Sequence, residues 1–162
     1  MANEHLATYL NDHLAGSVVA VELMENLEAA YAETPIANFV NDIRSEVEAD
    51  QRELQQLMNH LEISESRTRQ VSAWLTEKLT ELKLRLDDSA RGNLRLLESL
   101  EALSLGIEGK KSLWLALAAA AESSPQLRLA DYKHLQERAE DQRSRVELKR
   151  IEIAKVALRG ER

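Results

Sequence analysis

"ERAEDQR", Glu137 to Arg143, nearly repeats "EVEADQR", Glu46 to Arg52, with Glu, Asp, Gln and Arg at the same places. Both copies lie at almost the same depth behind a proline: Pro35 to Gln51 is sixteen steps and Pro125 to Gln142 is seventeen. Thr34-Pro35 and Ser124-Pro125 each put a capping hydroxyl before a proline at the first helical position, where the missing N–H has no intrahelical partner to lose. The short stretches before them, "YAETP" (Tyr31 to Pro35) and "AAESSP" (Ala120 to Pro125), read as hairpin turns. Ahead of the turns, "AVELMENL" (Ala20 to Leu27) lies on "GIEGKKSL" (Gly106 to Leu113), matching Glu22 with Glu108. The phrase thus marks the second arm of a duplicated helical hairpin.

Outward from the phrase, the pattern predicts helices over about 3–32, 35–63, 93–121 and 125–158. Between the pairs, Val71, Trp74, Leu75, Lys78, Leu79 and Leu82 recur at helical spacing, so a crossover helix is expected over 65–84. "DDSARGN", Asp87 to Asn93, is the clearest loop, with Asn93 as cap of the third long helix. A chain of 162 residues makes one domain, 1–162, with enough length to bury a core. Five glycines, two prolines and abundant Leu, Ala, Glu and Arg make it all-α.

Composition also excludes chemistry. Without cysteine there is no thiolate ligand, thiol nucleophile or redox switch, which suits a reducing compartment; the expected location is cytoplasmic. The acidic start "MANEHLATYLNDHLAG" is unlike a secretory signal. The longest apolar run, Leu113 to Ala121, is about half the length that spans a bilayer, so no membrane insertion is expected. A net charge of −7 argues against nucleic acid. The basic stretch from Gln142 to Arg162 is the exception; it reads as a solvated helix end or as a binder of acidic surfaces through Arg145, Lys149 and Arg150. No phosphate loop, zinc-protease motif or nucleophile elbow is present, and the reading leans away from an enzyme. Apolar Trp74, Leu75 and Leu79 leave a homo-oligomer open; the partners are otherwise unknown.

Steps of three and four residues define one apolar seam per helix. These are Leu10, Leu14, Ser17, Val21, Met24, Glu28 and Tyr31; Val40, Ile43, Val47, Asp50, Leu54, Leu57 and Leu61; Leu96, Leu100, Leu103, Ile107, Lys110, Trp114, Leu117 and Ala121; and Leu135, Ala139, Gln142, Val146, Lys149, Ile153 and Val156. Polar residues interrupt them at Ser17, Asp50, Lys110 and Gln142, at similar depth from the turns. The four form an expected buried polar layer holding an Asp50–Lys110 ion pair, in which amide and hydroxyl complete the hydrogen bonds. Alternatively Lys110 snorkels to solvent.

Two hairpins joined by a long crossover, with "YLNDHLAGSVVAVEL" (Tyr9 to Leu23), "AWLTEKLTELKL" (Ala73 to Leu84) and "LSLGIEGKKSLWLAL" (Leu103 to Leu117), resemble the ferritin-like superfamily and, within it, an uncharacterised bacterial ferritin-like group. The resemblance spans nearly the whole chain. It implies a ferritin-like four-helix bundle and, in active members, a di-iron site built from a Glu on the first helix of each pair and Glu-x-x-His on the second. Glu22 and Glu108 match the lone Glu positions, but Val47 and Ala139 stand where the Glu of each motif would be.

The expected function is therefore a ferritin-like protein without the usual di-iron site or any cofactor, acting in a structural, stress-related or interaction role; "stress-related" follows from the resemblance alone. The alternative is an iron or manganese carboxylate protein, an oxidoreductase or metal store, drawing a non-standard ligand set from Glu22, Glu46, Asp50, Glu108, Glu137 and Asp141. At about 100° per residue, Glu22, Glu108 and Asp141 fall well off their seams. Among the histidines, His5 and His60 lie far from mid-bundle, His13 is half-buried by its position, and His134 forms a ligand trio with Glu137 and Asp141 on one face.

Overall fold

The structure, a computed structural model, describes residues 4–66, 77 and 92–159. The described residues form long helices α1 (Glu4–Ala30), α2 (Pro35–His60), α3 (Gly92–Ser123) and α4 (Tyr132–Ala157), and no strand. Apart from Glu77, the core of the expected crossover helix and the loop from Asp87 to Arg91 lie outside the described residues; Glu65 and Ser66 are not helical. Asn93 sits inside α3 and is not its cap.

Each hairpin is antiparallel. Arg44 Nε donates to Glu28 at 2.5 Å and Gln51 Nε2 to Ser17 Oγ at 2.8 Å, pairing α1 with α2 at rising distance from their turn. On α3 and α4, Lys111 meets Glu140 at 2.5 Å and Arg143 lies 3.2 Å from Glu108. Glu46 and Asp50 of α2 bond to Arg145 and Arg138 of α4, so the second arms also run antiparallel. Consequently α2 and α3 run parallel. The chain leaves α2 at one end, where Asn11 Oδ1 accepts from Ser66 N at 2.7 Å. It resumes at the other end, where Tyr31 donates to the Gly92 carbonyl at 2.6 Å.

The helix ends correct the sequence reading in three places. Helix α2 stops at His60, short of residue 63, because Glu62 takes a left-handed φ of 55°. Ile63 N then donates to Met58 O at 2.9 Å and Glu62 N to Asn59 O at 3.1 Å, closing the helix while Ile63 is buried. Proline starts α2 as expected, but Thr34 Oγ1 donates back to Tyr31 O at 2.5 Å and makes no cap bond.

At the second proline the expected long helix from residue 125 is replaced by one 3-10 turn, Pro125–Leu127, and Ser124 makes no side-chain cap bond either. Arg128 explains the break: its guanidinium donates to Ala121 O at 2.8 Å and Glu122 O at 2.9 Å, satisfying carbonyls at the end of α3. The helix restarts only where Asp131 caps it, accepting from His134 N at 3.0 Å.

Packing follows the seams on α2 and α3, where every named apolar position but Leu61 is buried. On α1 the buried face turns partway along, taking Leu23 and Leu27 in place of Val21 and Glu28. On α4 the seam fades after Val146, and Val156 is exposed. The core comes in two parts. One cluster gathers Leu10, Leu14, Leu57, Trp114, Leu117 and Leu135; the other gathers Met24, Leu27, Val40, Ile43, Leu100 and Val146. Between them lies a polar layer.

Candidate functional site: a mid-bundle ion cluster beside a cavity

Asp50 reaches the centre because it continues the α2 seam between Val47 and Leu54, and only 2% of it is exposed. Its Oδ2 accepts from Lys110 Nζ at 2.5 Å and from Gln142 Nε2 at 3.0 Å. Its Oδ1 accepts from Arg138 Nε at 2.6 Å and also from Arg138 Nη2. Lys110 Nζ donates as well to Gln142 Oε1, so carboxylate, ammonium and amide close a ring.

A buried carboxylate without partners would carry a penalty of several kcal/mol; here every bond to it is charge-assisted or comes from a fully buried amide. Burial pushes the Lys110 ammonium below its ordinary range, and the adjacent Asp50 carboxylate pulls it partway back.

Asp50, Lys110 and Gln142 of the expected layer thus stand in mutual contact, and Lys110 does not snorkel to water. Ser17 is a neighbour only: its hydroxyl donates to Leu14 O at 2.6 Å and accepts from Gln51. Arg138 escaped the sequence reading. It falls off the α4 seam and aligns with Val47 in the repeated phrase, yet it stands one turn before Gln142 on the same side of the helix. A lone buried carboxylate facing that side was the available signal.

The two copies of the repeated phrase are used differently. In the first, Asp turns inward; in the second, Gln142 is buried and Asp141 stands 67% exposed, bonded to Arg145 at 2.9 Å. Packing has shifted one copy by a residue against the other.

The six carboxylates of the expected alternative metal set do not converge, and this corrects that reading. Glu46 bonds to Arg145 at 2.6 Å, Glu108 lies 3.2 Å from Arg143, and Glu137 is exposed beside Lys133 at 3.9 Å. Glu22 is half-buried on α1. Asp50 alone reaches the centre, and there it is held by two cations. Among the described residues no group of three His, Asp or Glu side chains forms that could hold a metal ion, and the trio His134, Glu137, Asp141 is not one. The residues of this layer do not fit a dimetal centre, whose ligands must be anionic or neutral donors.

Three cations of the basic stretch are paired within their own chain. Arg145 meets Glu46 and Asp141, Lys149 meets Glu152 at 2.8 Å, and Arg150 meets Glu147 at 2.8 Å. No described helix is long and apolar enough to cross a membrane.

Against one side of the cluster lies a cavity of about 240 Å³ between α1, α2 and α3. Its polar lining includes Asp50, Lys110, Ser17 and Gln51, with Asp12 and His13 on the α1 side; its walls include Leu54, Leu103, Leu113 and Trp114. Burial holds the His13 imidazole below its ordinary pKa, against the opposing pull of Asp12. The chain matches no protein-family model, no curated protein and no solved structure.

Proposed function

We infer that this chain is a ferritin-like bundle that works without a metal centre, as a structural or interaction protein. The observation that carries the reading is the occupancy of Asp50: at the depth where a carboxylate-bridged metal pair would need anionic ligands, this carboxylate is shared by Lys110, Arg138 and Gln142. A divalent ion entering there meets two fixed positive charges. The parallel course of α2 and α3 supports the ferritin-like half of the reading, because a long crossover is the connection that such a course requires. The interaction half draws on surface: Leu148, 74% exposed, lies with Ile151 on the outer side of α4, and Leu158, 67% exposed, follows the helix end.

The test is elemental analysis of untagged protein before and after anaerobic Fe(II) loading, with Asp50→Ala as control. The expected outcome is no stoichiometric iron or manganese in either protein. Stoichiometric metal that disappears in the variant would overturn the reading.

A further inference from the structure

Three of the chain's five glycines, Gly16, Gly106 and Gly109, line the cavity between α1, α2 and α3. All three lie inside helices, where glycine is less favourable than alanine. Close helix approach is the usual compensation, and it is absent: a Cβ placed on any of the three meets nothing within 4 Å. These glycines do not draw α1 and α3 together. They keep a space open, and Ala20 extends the same small-residue border.

One residue of the lining carries a buried donor without a partner. Trp114 is 1% exposed, lines the cavity, and its indole Nε1 has no hydrogen-bond partner. An orphaned buried donor is destabilising unless a partner arrives. One turn earlier on α3, Lys110 gives hydrogen bonds to Asp50 and Gln142, while an ammonium has three N–H groups. In the cluster one carboxylate faces two cations, Lys110 and Arg138, leaving one positive charge in excess. Glu46, one turn before Asp50 on α2, is bonded to Arg145. Asp12, the acidic residue on the cavity's α1 side, is exposed, where solvent and salt screen it.

We propose that this cavity is a binding site for a small carboxylate with an apolar body, its oxygens received by Lys110 Nζ and Trp114 Nε1 and its body resting on Leu54, Leu103 and Leu113. The charge excess selects an anion and the two donors select an acceptor. The apolar walls select a hydrocarbon or aryl group over a bare inorganic ion. Size favours a small ligand, since the space between the helices is about 240 Å³.

Calorimetric titration with benzoate and hexanoate, and with benzyl alcohol as the neutral counterpart, tests the site. Gly106→Leu fills the space from α3 and Gly16→Leu from α1, so either variant serves if the other does not fold; circular dichroism checks both. The expected result is saturable binding of at least one carboxylate at or below about 1 mM. It should weaken roughly tenfold or more in the filled variants and in Lys110→Met, and benzyl alcohol should bind roughly tenfold or more weakly than benzoate. Failure of both carboxylates to saturate by about 10 mM would overturn the proposal. So would unchanged binding in a folded glycine variant, or equal affinity for the alcohol.

Discussion

Asp50 is the residue on which most of the structure's polar chemistry converges, and its removal exposes the arrangement most directly. Asp50→Ala leaves Lys110 and Arg138 as like charges without a counterion. Because Arg138 is 26% exposed and can turn toward water, the expected destabilisation is at the lower end for broken buried pairs, about 3 kcal/mol by urea denaturation. Lys110→Met should cost only about 1 kcal/mol, since Arg138 still neutralises Asp50.

Acid titration tests a second residue. Arg150, with help from Ser104, holds the Glu147 carboxyl at about 2, down from 4.5. A lowered carboxylate pKa stabilises the fold above the unfolded value, and that contribution is lost as pH falls from 4.5 toward 2. Glu147→Gln should therefore flatten the stability-versus-pH curve in that window. The pair is partly exposed, so solvent screening limits the change to about 1 kcal/mol.

At the scale of elements, the ends of the helices carry the next expectations. Glu62 holds a left-handed conformation that glycine adopts without steric penalty, so Glu62→Gly should raise the thermal midpoint, by the equivalent of up to about 1 kcal/mol. Asp131→Ala should lower it by about 1 kcal/mol through loss of the α4 cap.

These ends are also where the sequence was hardest to read. Periodicity exposed the seams of α2 and α3, and proline marked the start of α2, because both signals are local. The end of α2 and the broken start of α4 depend on Ile63 reaching the core and on Arg128 bonding back to α3, contacts that no local pattern encodes. The candidate site divides in the same way. Asp50, Lys110 and Gln142 stood out as polar residues on apolar seams; Arg138 enters from the flank, where a charged side chain looks solvated until its partner is known.

At the scale of the molecule, the polar layer separates two hydrophobic clusters, at a level where it could set how far each hairpin slides along the other. If its role is register, a joint Asp50→Leu, Lys110→Leu, Gln142→Leu variant should be as stable as the parent or more so. It should lose the single set of sharp amide resonances in a heteronuclear NMR spectrum. Sharp, unique resonances in that variant would show that hydrophobic packing alone sets the register.

The layer is also divided unequally between the two halves of the chain. The first hairpin contributes the lone carboxylate; the second contributes both cations and the amide. Two copies of the first hairpin would press one acid against another, and two copies of the second would bury four positive charges together, so each half repels its own kind and completes the other. Expressed as separate polypeptides, the halves are therefore expected to assemble one to one, as a lock does with the key cut for it, despite the phrase they share.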